Sequence, residues 1–193
     1  MSPRGRQGAA TLDTMVVATM SLRFASLTPP DQPAIVDHLL GLEGEDRVLR
    51  FNATLPDGKV AEYAARWNFA NDIVEGAWDG DRLVGIIHLP VFRVGPDLVA
   101  ELGVSVDARW RKRGIATVLA DRVVEASRER GVGRIYINFL TRNRPMHCLS
   151  RRFTDDIEQD GDETVAKIRI AARPKVATPA LEPAGAAPAG STA

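Results

Sequence analysis

Two sets of residues in this chain are of the types that do chemistry. Glu101 lies inside the apolar run Val99-Ala100-Glu101-Leu102. A carboxylate among apolar neighbours either takes an ion-pair partner at a strand edge or acts as a base. As a base it accepts a proton from an ammonium, directly or through a water. The second set is Arg111-Lys112-Arg113-Gly114-Ile115-Ala116, at the start of a long amphipathic stretch. The first N–H groups of a helix lack partners, and the helix dipole places about half a positive charge there. Such a terminus holds a phosphate or pyrophosphate. Gly114 removes a Cβ that would block the approach, and Ala116 is small to the same end. Arg111, Lys112 and Arg113 add charge-assisted bonds. The alternative is an ordinary basic helix start with Gly114 as its N-cap.

Both sets need elements to hold them. Residues 98–106 read as a strand carrying Glu101, after a turn at Gly95-Pro96-Asp97. Residues 113–130 read as a helix with Ile115, Leu119, Val123 and Ala126 on one stripe and Asp121, Arg122, Glu125, Arg128 and Glu129 toward water. Gly131 is a natural stop. Upstream, residues 73–78 and 82–92 are strands joined by Asp79-Gly80-Asp81, a strong hairpin signal. Residues 134–140 form a strand parallel to that of Glu101, because a helix intervenes. A short helix over 143–153 and a hairpin over 155–158 and 164–171 close the domain. At the N-terminal side, a strand over 21–26 leads to Thr28-Pro29-Pro30-Asp31, which caps a helix with Ile35, Val36, Leu39 and Leu40 on one face. Further helices are expected near 45–51 and 57–68. The fold class is α+β, a mixed and mostly antiparallel sheet of about six to seven strands with helices on both faces. Residues 1–20 and the Ala/Pro-rich 173–193 are expected to be disordered flanks of one domain over 21–172. Met15 and Met20 are alternative starts.

Composition narrows the function. The 193 residues are 45% apolar and 26% charged, with a formal net charge of zero. That balance fits an ordinary globular domain and lacks the broad basic face that nucleic acid requires. Basic charge is local, at Arg109, Arg111, Lys112 and Arg113, which suits a small anionic ligand. Cys148 is the one cysteine, so no intramolecular disulfide and no multi-cysteine metal site can form. On its helix it reads as a small core residue. A reducing cytoplasm is expected, and no apolar run reaches the roughly 20 residues of a membrane span. The histidines show no zinc-ligand spacing, and no metal is expected. His38 and His147 read as helix-surface residues. His88 reads as a hydrogen-bonded structural histidine on the strand beside that of Glu101. Trp67, Trp78 and Trp110 read as core or cleft wall.

The pattern Arg111-Lys112-Arg113-Gly114-Ile115-Ala116 resembles the R/Q-x-x-G-x-G/A signature of the GCN5-related N-acetyltransferase (GNAT) superfamily. By residue frequencies such a pattern recurs by chance in very roughly one chain in five of this length. Its place after a strand and before a long helix gives it meaning. The order of elements over about residues 21–172 is also similar to the family's. So is Asn143-Arg144-Pro145-Met146-His147-Cys148-Leu149, which resembles the family's N-x-x-A/M-x-x-L helix opening. The N-terminal phrasing resembles the subgroup with bacterial protein-lysine acetyltransferase domains.

The resemblance implies acetyl-CoA as cosubstrate and a primary amine as acceptor, either a small molecule or a protein lysine. No nucleic-acid or membrane partner is implied, and oligomeric state stays open, a homodimer included. It implies that the strand before the signature splays from its neighbour at a bulge, with Gly103 a plausible bulge position. Val104, Ser105 and Val106 then offer backbone groups to the pantetheine arm, Asn143 bonds it, and Glu101 is the general base. Many relatives carry a tyrosine seven residues after the asparagine as the acid for the leaving thiolate; here that position is Ser150. Serine is a poor acid, though it can orient a water. Where relatives have Gly-Phe, this chain has Thr154-Asp155. These departures leave a second reading open, a CoA-binding sensor or interaction module without transferase activity.

Overall fold

The structure, a computed structural model, describes residues 22–171. The disordered flanks expected at 1–20 and 173–193 lie outside the described residues. The elements run β1 (Arg23–Ser26), α1 (Gln32–Leu40), α2 (Gly44–Phe51), α3 (Asp57–Ala65), β2 (Ile73–Asp79), β3 (Arg82–Leu89), β4 (Val91–Val94), β5 (Asp97–Glu101), β6 (Gly103–Val106), α4 (Ile115–Glu129), β7 (Val132–Leu140), α5 (Arg144–Arg151), β8 (Ile157–Asp160) and β9 (Glu163–Arg169). The α+β class stands. The strands form two sheets, in the orders β1-β2-β3-β6 and β4-β5-β7-β9-β8. The first is antiparallel throughout, and the second has one parallel pair, β5 with β7.

The single sheet expected from the sequence is thus divided, and the cause is one long hairpin broken on both arms. The strand expected over 82–92 stops at Pro90, which has no N–H to give. The strand expected over 98–106 stops at Leu102, opposite that break. Below the breaks, β3 pairs with β6 from Gly85↔Val106 to His88↔Gly103. Above them, β4 pairs with β5 from Val91↔Ala100 to Val94↔Asp97. The base of the hairpin belongs to one sheet and its tip to the other. β5 lies beside β7, and the Leu102 N–H still donates to Tyr136 O at 2.8 Å. From Gly103 onward β6 has β3 alone as a strand partner, so β6 and β7 part like the arms of a V.

The two faces bury separate sets of apolar side chains. On one, Ile115, Leu119 and Val123 of α4 meet Val84, Ile87, Ala100, Ile135 and Ile137. On the other, Ile35, Leu39, Val60 and Ala64 of α1 and α3 meet Leu27, Val74, Trp78, Leu83 and Ile86. β3 therefore reads as almost continuously apolar, because it is covered on both faces. Gly85 sets the height of α4, since a Cβ there would stand 2.9 Å from Ile115 Cγ2.

Candidate functional site

The V between β6 and β7 opens onto a cavity of about 380 Å³. Its walls come from α2 (Asp46, Arg50), the β6 edge (Val104, Ser105, Val106), the loop and first turn of α4, and α5 (Asn143, Pro145, Met146, Leu149). Every cofactor residue expected from the sequence lines it except Arg113: Val104, Ser105, Val106, Arg111, Lys112, Gly114, Ile115, Ala116 and Asn143. Arg113 turns away, its guanidinium 4.6 Å from the Trp110 ring centre and donating to Arg109 O at 3.2 Å.

The loop before α4 is shaped by two left-handed residues, Lys112 (φ 59) and Gly114 (φ 77). Gly114 is the N-cap, and a Cβ on it would meet nothing within 4 Å, so within the protein it is the φ that calls for glycine. α4 begins at Ile115, two residues later than the periodicity indicates. Its first backbone bond runs from Val118 N–H to Gly114 O at 3.0 Å. The N–H groups of Ile115, Ala116 and Thr117 therefore have no carbonyl within their own helix, and these residues line the cavity. Arg111 is held across the mouth: its Nε donates to Val106 O at 3.1 Å and its Nη2 pairs with Asp46 Oδ2 at 2.7 Å. Asp107 anchors the same loop by accepting the Arg109 N–H at 3.0 Å and pairing with Arg82 at 2.6 Å. Burial pulls the Asp107 carboxyl up, but the Arg109 and Arg82 contacts outweigh it and hold it below the usual carboxylate range.

Several expectations need correction. Gly103 is not at a bulge. It opens β6 opposite His88, and a Cβ there would stand 2.7–2.8 Å from the Arg50 guanidinium, so its bareness admits Arg50. Glu101 is solvent-exposed at the end of β5, where its Oε1 accepts from Asn138 Nδ2 at 2.9 Å; it is not in the wall of the 380 Å³ cavity. Ser150 is fully buried, outside the cavity wall, and its Oγ has no hydrogen-bond partner among the described residues. A hydroxyl so placed has no path to a thiolate in the cavity. Cys148 is exposed on α5, not in the core. Asn143 caps α5 by accepting the Met146 N–H at 3.3 Å while remaining 5% exposed, so one of its polar atoms is already engaged.

His38 is not a surface residue. It is buried under Ser105, with Nδ1 donating to Leu83 O at 3.1 Å and Nε2 accepting from Ser105 Oγ at 2.9 Å. Burial pushes its pKa down to about 4, and the Leu83 carbonyl, which can only accept, fixes that tautomer of the neutral ring. His147 is half-buried, bonded through Nε2 to Thr141 O at 2.9 Å. His88 is hydrogen-bonded, to Asp72 Oδ2 at 2.9 Å, and its neighbouring strands are β2 and β6, not the Glu101 strand. Thr154, in place of the relatives' glycine, staples the turn after α5 to β9 by donating to Lys167 O at 2.8 Å. Sequence reasoning missed Asp46 and Arg50, because no local pattern on α2 announces which fold partner it faces.

The donor set fits a long anionic thioester cofactor. A free strand edge can pair with an amide-bearing arm, a helix N-terminus and basic rim can take phosphates, and the walls between are apolar. Among the described residues no helix is long and apolar enough to cross a membrane.

Comparison with known proteins agrees with this geometry. No curated protein sequence matches the chain. Solved structures do. The GNAT domain of S. lividans PAT is similar at 19% identity and TM-score 0.65, over 77% of this chain and 90% of that one. YncA of Salmonella typhimurium, solved with its cofactor acetyl-CoA, is similar at 16% identity and TM-score 0.59, over 79% and 95%. The ribosomal-protein-S18-alanine N-acetyltransferase of Escherichia coli is similar at 14% identity and TM-score 0.57, over 81% and 98%. A profile of the Acetyltransferase (GNAT) family matches residues 45–153, just over half of the chain and all of the cavity's strand-loop-helix wall. With its splayed strands, glycine-opened helix and cavity between them, the chain belongs to the GNAT family of acetyl-CoA-dependent acetyltransferases.

Proposed function

We propose that this protein transfers an acetyl group from acetyl-CoA to the nitrogen of a primary amine by direct attack, with Glu101 as general base. The reading is supported above all by one observation: the unpaired edge of β6 and the unpartnered N–H groups of α4 line a single cavity, and Glu101 stands two residues before that edge begins. Val104 to Val106 hold the pantetheine arm, the turn from Arg111 to Ala116 holds the pyrophosphate, and Asn143 orients the arm from the far side. The N–H at Val104 faces the developing oxyanion. Glu101 is open to solvent, so an incoming ammonium can lose a proton to it and on to water. The acceptor is a small-molecule amine or a protein lysine, met in the cytoplasm. The lone Cys148 fits a reducing compartment.

The second reading, a CoA-binding module without turnover, is favoured by one feature, the burial of Ser150 away from the cavity. Thiol release from acetyl-CoA in the presence of a panel of amines separates the two. Amine-dependent thiol release is the expected result. Tight CoA binding with no release for a polyamine, free amino acids, a lysine peptide or an alanine-terminated peptide would favour the module.

A further inference from the structure

One cation in the cavity wall has neither a carboxylate nor a phosphate to face. Arg50, half-buried near the end of α2, lines the cavity. Its guanidinium lies against Gly103, where an added Cβ would stand 2.7–2.8 Å from it. Gly103 is where the V opens, between Glu101 and Val104. A guanidinium is a fork of N–H donors that matches a carboxylate. Among the described residues the Tyr63 oxygen alone accepts from Arg50, at 3.1 Å, and Arg50 forms no ion pair. Asp46, one turn back on the same helix, pairs with Arg111 instead, and Glu101 is taken by Asn138. The Tyr63 hydroxyl bonds His88 Nδ1 at 3.1 Å, and His88 bonds Asp72 at 2.9 Å, so two side chains stand between that anion and Arg50. Ring centres of Phe51 and Tyr63 lie 5.0 and 5.5 Å from the Arg50 Cζ. The charge is therefore held in place before any ligand arrives. The phosphate cradle is too far to use it. That turn begins beyond Val106, three residues past Gly103, which at the usual strand rise is about 10 Å away.

We propose that Arg50 is a specificity-determining residue that binds a carboxylate on the acceptor. The acceptor is then a free amino acid or a close amino-carboxylate, and not a polyamine or a lysine side chain of a protein. This rests on the transferase reading above. The cofactor's anions are its phosphates, and its acetyl group carries no charge, so the anion opposite Arg50 belongs to the acceptor. Glu101 and Arg50 stand at the same end of the cleft, a carboxylate for an ammonium and a guanidinium for a carboxylate. That is the charge pattern of a zwitterion. A polyamine would bring further cations toward Arg50, and a protein lysine has no carboxylate beside its amine. With the carboxylate held, the neighbouring nitrogen gives one proton through Glu101 to solvent and attacks the thioester carbon. The C–N bond forms, the C–S bond breaks with its electron pair going to sulfur, and the second nitrogen proton ends on sulfur. The products are an N-acetyl amino acid and CoA.

The test uses the full chain, acetyl-CoA and matched acceptors: the common amino acids, the amide of each one that reacts, the amine lacking its carboxylate, spermidine and a lysine peptide. Thiol release should favour the amino acid over its amide by about 10²-fold in kcat/KM, the order of one charge-assisted pair. Arg50→Gln should erase that preference by raising KM for the amino acid about 10²-fold, with acetyl-CoA affinity by calorimetry unchanged. Arg50→Lys keeps the charge without the fork and should recover part of the loss. The wild-type comparison needs no variant and decides the matter if Arg50→Gln fails to fold. Equal turnover of amino acid and amide, or a preference for spermidine or the lysine peptide, would overturn the assignment and leave the transferase reading standing. So would faster turnover of an uncharged amine with succinyl-CoA than with acetyl-CoA, because the carboxylate would then sit on the acyl group. A chain silent with every amine would overturn the transferase reading and this inference with it.

Discussion

At the scale of single residues, the base is the point most open to test. Glu101 is exposed and held by Asn138, whose own carbonyl accepts from Asn52 Nδ2 at 3.2 Å. Glu101→Gln keeps the size and the Asn138 contact but cannot take a proton. It should cut kcat by about 10²-fold with acetyl-CoA affinity intact, and the acid limb of the pH–rate profile should shift. An unchanged profile in stopped-time thiol assays would sink the assignment. Glu101 was legible in the sequence as a carboxylate in an apolar run. That it projects from a strand end into solvent was not, because the break at Leu102 depends on a partner strand distant in sequence. Arg50, Tyr63, His88 and Asp72 were likewise illegible as a group. They come from α2, α3, β3 and the loop before β2, and only packing brings them together.

At the scale of elements, the turn into α4 carries the cofactor end of the reading. Gly114 at φ 77 pays for a conformation that a side chain resists. Gly114→Ala should destabilise the fold by roughly 1–2 kcal/mol, the cost of a left-handed non-glycine residue. Since nothing in the protein opposes the new Cβ, the remaining effect should fall on the cofactor. We expect acetyl-CoA affinity to drop about tenfold, the equivalent of one lost charge-assisted bond, measured by calorimetry beside thermal melts. An affinity equal to wild type would remove Gly114 from the phosphate cradle. This element was the best read of all from sequence. Its stripe of Ile115, Leu119 and Val123 is a local periodicity, and a helix N-terminus binds anions by local geometry. The hairpin that runs from β3 to β6 was read less well: its Gly95-Pro96-Asp97 turn and apolar arms were visible, but not that both arms change sheets midway.

At the scale of the whole molecule, two buried neutral histidines make stability depend on acid. His38 and His88 titrate near 6.5 when unfolded and at about 4 when folded. Below pH 6.5 the unfolded chain binds protons that the folded one refuses. The stabilisation is therefore complete above that pH and is lost as pH falls toward 4, by roughly 3 kcal/mol for each ring. The urea midpoint should be flat above pH 7 and drop steeply between 6 and 4.5, on the order of the window these shifts define. A flat midpoint through that window would mean the rings are not buried neutral. Sequence by itself determined the α+β class, the amphipathic helix with its glycine-opened start, the strand with its carboxylate and the family signature, because each is written in short-range periodicity or in one contiguous motif. Tertiary structure alone decided where the sheet divides, that Ser150 is sealed off, that His38 is buried under Ser105, and that Tyr63 bonds His88. Those facts depend on contacts between residues far apart in the chain, and no local pattern encodes which distant partner a side chain will meet.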